Sequence, residues 1–283
     1  MSFRYRSTLL TLSSLAICGL YGASPVQAQT IAATYLFNNS LNAEQGGVPA
    51  LTLLNPVAGS ATGFQSTNVT FNGVNNGTRN VLRLDGNPIS GQNAGLQLGV
   101  GGVLTSNSSY SFEAVFLFSE RAGNYRKVLD VSNRASDLGF YVNPSDRLGV
   151  FSDVNPSTGP AFTLNNFFHV ALTQNAGVVT GYLNGVQSFT GNSTTMVISA
   201  ANILNFFVDD NATSNGEYSD STVALLRLYN GALTAQQVST LAATPLPPQN
   251  AVTAAPEPAA LALWLGVAVP GAALALRRRS RRA

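Results

Sequence analysis

The chain has 283 residues, 45% hydrophobic and only 10% charged, with one histidine, one cysteine and a formal net charge of +2. Divided by region the charge changes meaning: between Gln29 and Ala255 eight Lys/Arg face twelve Asp/Glu, a balance of −4, so the basic excess belongs to the two ends. That removes the electrostatic footprint of a nucleic-acid binder. The lone Cys18 lies in the first 28 residues, so residues 29–283 have no disulfide framework, thiolate metal site or thiol nucleophile.

Residues 1–28 have the layout of a secretory signal peptide. Arg4 and Arg6 precede an apolar run, Leu9 to Leu20, and the small-residue site Val26-Gln27-Ala28. Export through the Sec translocon and cleavage by signal peptidase after Ala28 are expected, since the run is short for a spanning anchor. Leu15-Ala16-Ile17-Cys18 faintly resembles a lipoprotein processing site, but Ile17 stands where a small residue is expected.

From Gln29 to Ala243 short runs of Val, Leu, Phe and Tyr alternate with Gly, Asn, Ser and Thr. That pattern predicts an all-β antiparallel sandwich or jelly roll in one domain. Strands are expected at Thr34–Phe37, Val69–Phe71, Val81–Leu84, Lys127–Val131, Gly139–Val142, Leu148–Phe151 and Phe167–Thr173. In SYSFEAVFLF, Phe112, Ala114, Phe116 and Phe118 share one face by period two, with Ser111 and Glu113 on the other.

VVTGYLNGVQSF places Asn184-Gly185 between two β-rich runs. Asn and Gly tolerate positive φ at both central positions of a type I′ turn, so a tight hairpin follows. After a strand at Val223–Tyr229, Thr234 with Gln237 forms a capping box, and Val238 and Leu241 give a short helix one apolar face. The five prolines of TPLPPQNAVTAAPEP make residues 244–255 an extended linker.

In this order YLFNNSL, VLRLDG, SYSFEAVFLF, NNFFHVALTQNAGVVTGYLNGV and VALLRLYNGALTAQQVSTL resemble the landmarks of LamG-like, concanavalin A-like jelly rolls. The resemblance covers residues 29–243. Its most specific parts are the HVAL strand leading to the Tyr-x-Asn-Gly hairpin and the RLYNGALTAQQV strand-to-helix closure.

Residues 256–283 resemble a PEP-CTERM sorting signal: Pro256, Glu257 and Pro258, an apolar span, then an arginine cluster. Physics supports the same reading. The 18 uncharged residues Ala259 to Leu276 would form a helix of about 27 Å, close to the bilayer core. Arg277, Arg278, Arg279, Arg281 and Arg282 stop transfer and hold the C-terminus in the cytoplasm. Gly266, Pro270 and Gly271 weaken the helix, which suits a transient span, although a permanent single-pass anchor stays open. The resemblance implies recognition by an exosortase-type protease near the Pro-Glu-Pro motif, with delivery to the outer surface or matrix of a Gram-negative bacterium.

Chemistry is scarce in the sequence. His169 has no Gly-x-Ser-x-Gly elbow or second histidine to work with, so it reads as structural. Jelly-roll glucanases of the laminarinase type are similar in architecture and use paired carboxylates on one strand. Glu113 is the only acid on its strand, so the pair required for retention is missing. Calcium is the cofactor that loop acids would suit, and FVDDNATSNGEYSD offers Asp209, Asp210, Asn211, Glu217 and Asp220. LDVSNRASD offers a second group, Asp130, Asn133 and Asp137. LamG-like domains often bind calcium through a loop aspartate, but Ala224 stands where an acid is frequent in their closing strand, so no ligand set is assigned. Tyr125, Tyr141 and Tyr218 near polar loops are candidates for stacking on sugars, while the only tryptophan, Trp264, is in the tail.

The expectation is therefore an exported, non-catalytic surface or matrix module. Its leading ligand class is carbohydrate, the producer's own exopolysaccharide first. A scaffold or adhesion protein that binds other proteins is the alternative, and a glycoside hydrolase the more remote one.

Overall fold

The computed structural model describes residues 29–55, 60–86, 93–120, 125–156, 158–213 and 216–249. The expected signal segment 1–28 and the tail 256–283, with its apolar span, lie outside the described residues. The strands are β1 (Thr30–Tyr35), β2 (Thr52–Leu54), β3 (Gly63–Phe71), β4 (Val74–Leu84), β5 (Gly95–Gly99), β6 (Ser109–Phe118) and β7 (Arg126–Asp130). They continue with β8 (Gly139–Val142), β9 (Leu148–Phe151), β10 (Phe168–Asn175), β11 (Val178–Leu183), β12 (Val186–Asn192), β13 (Ile203–Phe206) and β14 (Ser221–Asn230), followed by helix α1 (Ala235–Ala243).

Two antiparallel sheets face each other. The larger has the order β12-β11-β10-β6-β14-β4-β3, with β1 also on β14; the smaller runs β2-β5-β13-β7-β8-β9. β14 is long enough to divide one edge between two partners, β4 along Ser221–Val223 and β1 along Leu226–Asn230, while β6 follows its other edge. The core fills the space between the sheets. Phe112, Ala114, Phe116 and Phe118 of β6 point into it with Leu172, Phe206 and Leu226, the face that period-two alternation assigns them.

The reverse face of β6 departs from the simple reading. Alternation predicts a polar, wet face, yet Glu113 and Val115 there are only 2% and 0% exposed. The physical reason is a cover supplied from the end of the domain. α1 packs Val238 and Leu241 over Ala171, Tyr182 and Tyr229, and Leu246 beyond it joins Phe71, Val115 and Leu225.

Local chemistry explains both hairpin and helix. Asn184 and Gly185 take φ of 51° and 79°, and Leu183 faces Val186 across a two-residue turn. The Thr234 side chain caps the Gln237 N–H while the Gln237 side chain returns to the Thr234 N–H. Three strands escaped the sequence reading, β2, β5 and β13, all short and all in the smaller sheet. β5 starts and ends on glycine, and a Cβ at Gly95 would collide with the Val208 side chain, so close strand packing has replaced the side chains that signal a strand.

The first residues of the expected linker are tied down. Arg79 Nη2 donates to the Pro247 carbonyl (2.6 Å) and the Leu246 N–H to Asn76 Oδ1 (2.7 Å). Gln249 Nε2 donates to the carbonyls of Leu36 (2.8 Å) and Asn80 (2.6 Å), and its Oε1 accepts from the Asn80 N–H (2.9 Å). Residues 244–249 thus form a strap without regular structure: the Arg79 and Asn76 side chains bond its backbone, and backbone groups of Leu36 and Asn80 bond its Gln249 side chain, in place of the hydrogen bonds that proline denies to a helix or strand.

Candidate functional site

The loop between β13 and β14 brings the predicted acids against β7. It runs beside that strand through Lys127 N–H donating to the Glu217 carbonyl (3.3 Å) and Phe207 N–H to the Val128 carbonyl (3.3 Å). At its centre stands a residue the sequence reading passed over, Lys127, whose side chain is fully buried. Its Nζ lies 3.0 Å from Asp210 Oδ2, 3.6 Å from Glu217 Oε2 and 3.8 Å from Asp209 Oδ1, and 5.0 Å from the centre of the Tyr141 ring.

The carboxyls respond differently to this setting. Burial pushes Glu217 up to about 8, against the smaller opposing pull of Tyr141 and Lys127. Burial also raises Asp209. At Asp210 burial is outweighed by Lys127 and by the N–H groups of Thr213 and Ala212, which hold it at about 2.

Of the five loop residues singled out as calcium candidates, Asp209, Asp210 and Glu217 are brought together and two are directed elsewhere. Asp220 accepts from Arg83 Nη2 (2.8 Å) and the Gly86 N–H (2.7 Å), holding β4 to β14. Asn211 is exposed and engages Arg134 only through its backbone. From the second predicted group Asp137 joins, and one oxygen each of Asp137, Asp210 and Glu217 lies within 4.8 Å of the others. That spread suits a hard cation, but the Lys127 ammonium already stands against Asp210 and Glu217. Asp130 serves its own turn, accepting from Ser132 and Arg134 N–H at 3.1 and 2.8 Å. No local motif could have announced this site, since Lys127 and Asp210 are 83 residues apart in sequence.

A second polar group lies on the covered face of the large sheet. Glu113 of β6 accepts from Tyr229 (2.5 Å) and Arg227 Nη1 (3.1 Å) of β14, and its other oxygen meets His169 Nε2 of β10 at 3.1 Å. Burial opposes the charge on Glu113, but His169, Arg227 and Tyr229 together outweigh it and hold the carboxyl at about 2. The three strands are in register here, with Ala171 and Arg227 flanking Glu113. A cavity of about 220 Å³ adjoins the group, walled by Phe71, Leu225, Leu241 and the strap residues Thr244–Pro247. His169 Nδ1 is buried there with no hydrogen-bond partner among the described residues.

The aromatic candidates separate too. Tyr141 is 1% exposed, its hydroxyl donating to the Asp137 carbonyl (2.6 Å), so it cannot stack on a sugar. Tyr125 is half-buried and sits edge-on to Tyr141 and Phe151, both at 5.7 Å, with its hydroxyl accepting from Asn155 Nδ2. Tyr218 is half-buried.

Residues 90–239, just over half of the chain, match the family model described as the concanavalin A-like lectin/glucanases superfamily. The chain belongs to that superfamily. Among solved structures it is similar to domain 4 of AbnA, a GH43 extracellular arabinanase from Geobacillus stearothermophilus, in complex with arabinotriose. That likeness has a TM-score of 0.55 at 20% identity, covering 76% of this chain and 98% of that one. A mutant of HCR D/C VPI 5995 is similar with a TM-score of 0.51 at 14% identity, over 76% of this chain and 52% of that one. The botulinum neurotoxin type G receptor binding domain follows at 0.48 and 11%, over 76% and 51%. At these identities the likeness is one of fold. No curated protein matches the chain.

For a member of the lectin/glucanase superfamily, the surroundings of Glu113 are informative. Double displacement at a glycosidic bond needs two carboxyls about 5 to 5.5 Å apart. Sharing the face of Glu113 on β6 are Ser111, Val115 and Leu117, the last two packed in the apolar cluster under the strap.

Proposed function

We propose that the protein is an exported binding module without catalytic duty that holds carbohydrate, the producer's exopolysaccharide first, at the cell surface or in the matrix. One observation carries the reading: within a lectin/glucanase fold, the carboxyl on the central strand is consumed by His169, Arg227 and Tyr229, and its same-face neighbours on β6 are Ser111, Val115 and Leu117. A carboxyl so engaged, with no second acid beside it on β6, lacks the pair that double displacement uses, which supports a binding role. The arabinotriose bound to the arabinanase domain supports a sugar as the ligand class, by analogy of fold.

A glycan array probed with the protein, in calcium and in chelator, tests the reading. Binding of at least one polysaccharide class is expected, and the two arms report whether a divalent cation contributes. Absence of binding in both arms rejects the lectin reading and leaves a protein-binding scaffold.

The route to the surface is part of the proposal. Pro256-Glu257-Pro258, the apolar span 259–276 and the arginines from Arg277 to Arg282 are an address recognised by an exosortase-type protease, which removes the tail after membrane transit. Protein recovered from the outer surface or medium should have a mass lacking everything after the Pro-Glu-Pro region. An intact arginine-rich C-terminus on that material refutes processing.

A further inference from the structure

The surroundings of Lys127 go beyond what an ordinary ion pair requires. Its amine is dry, with 0% of the side chain exposed, and is pressed against an equally dry Asp210 at 3.0 Å. The other oxygen of Asp210 is held by three donors, the N–H groups of Ala212 and Thr213 at 2.7 Å each and the Thr213 hydroxyl at 3.2 Å. A second acid, Glu217, has its Oε2 3.6 Å from the amine, buried and without a hydrogen-bond partner among the described residues.

From this arrangement we infer that Lys127 and Asp210 join in an intramolecular amide bond, with Glu217 as the proton carrier. Nζ already touches Oδ2 at 3.0 Å, one bond away from the Cγ it would attack, so a small shift brings the reacting atoms to the about 3 to 3.5 Å of a near-attack pair. One proton crosses the 3.0 Å contact from Nζ to Oδ2, which leaves a neutral amine facing a neutral acid, and Nζ attacks Cγ of Asp210. The charge that develops falls on Oδ1, where the Ala212 and Thr213 N–H groups already point, as preorganised donors do in acyl transfer. Glu217 relays the second proton, giving its own to Oδ2, the oxygen facing the lysine, as it takes one from Nζ. The Cγ–Oδ2 bond then breaks.

The balance closes without a co-reactant. An ammonium and a carboxylate become one amide and one water: of the three ammonium hydrogens one stays on the amide nitrogen and two leave on Oδ2. Nothing is oxidised or reduced. Burial drives the step forward, because two opposite charges held away from water are costly and a neutral amide is not. The product would tie β7 covalently to the loop that leads into β14, across 83 residues of sequence. For a module displayed outside the cell, that closes the domain against pulling and proteolysis.

Mass spectrometry of the purified, denatured protein tests the bond. Digestion should yield a branched peptide in which the segment starting at Lys127 is attached to the segment containing Asp210, lighter by one water than the two together. Separate segments, with the Lys127 amine open to acylation after unfolding, overturn the proposal. Loss of water without a branch, the mark of a cyclic imide at Asp210-Asn211, overturns it as well. Glu217→Gln, which keeps the size and hydrogen bonds of the site, should slow formation of the branch about a hundredfold or more. An unchanged rate removes Glu217 from the step. The wild-type digest decides the bond itself, so a variant that fails to fold does not hide the answer.

Discussion

Glu113 is the sharpest place to test whether the covered polar group is structural. In the folded chain its carboxyl is held at about 2, against an ordinary value near 4.5 in an unfolded chain. The drop from about 4.5 to about 2, at about 1.4 kcal/mol for each tenfold change in proton affinity, corresponds to roughly 3 kcal/mol of stability. The folded value is the lower one, so this contribution is fully present above pH about 4.5 and is lost as the pH falls through about 2. Glu113→Gln should remove it, leaving Arg227 and His169 facing a neutral amide in a nearly dry site, at a cost of about 3 to 5 kcal/mol at neutral pH. Urea unfolding from pH 7 to pH 2 measures both effects: the variant should start lower, and the wild type should lose about 3 kcal/mol more than the variant toward acid. Equal stability at pH 7, or the same acid slope in both proteins, would refute the reasoning. The outcome also bears on activity assays, since lost hydrolysis in a partly unfolded Glu113→Gln protein says nothing about a catalytic carboxyl.

Other perturbations probe the cover and the hairpin. Gln249→Ala removes three side-chain hydrogen bonds that fasten the strap, so amide exchange across 244–249 should speed up with little change in the core; unchanged protection would show that Leu246 packing and the Arg79 and Asn76 bonds suffice to hold the strap. Thr234→Ala breaks the capping box of α1 and should cost about 1 kcal/mol, read as a lower midpoint in urea at constant slope. Gly181→Ala drives a Cβ into the Phe189 ring; the ring is only 6% exposed, and overpacking of about 1 to 3 kcal/mol should lower Tm by several degrees. A Tm equal to the wild type would mean that Phe189 has room to turn.

Much of the fold was legible because its signals are local. The four alternating core residues of β6, the Asn184-Gly185 turn and the Thr234–Gln237 capping box each lie within a few residues of one another, and each forms as expected. Strands β2, β5 and β13 were not legible, since three to five residues carry almost no periodicity, and β5 also starts and ends on glycine. The residue types of the site were visible as well, but its membership was not. Asp209, Asp210 and Glu217 were chosen for their oxygens, and the sequence offered no reason to seat Lys127 among them or to draw in Asp137 from another loop.

Sequence alone determined which residues alternate, where the chain turns, and that one acid stands by itself on the central strand, because backbone geometry and side-chain period act over short spans. Only the tertiary structure decided that the reverse face of β6 is dry, since α1 and the strap come from more than a hundred residues away to cover it. It likewise decided that a lysine and a carboxylate 83 residues apart meet at 3.0 Å, because antiparallel pairing of β13 with β7 carries the acid loop across the strand that bears Lys127.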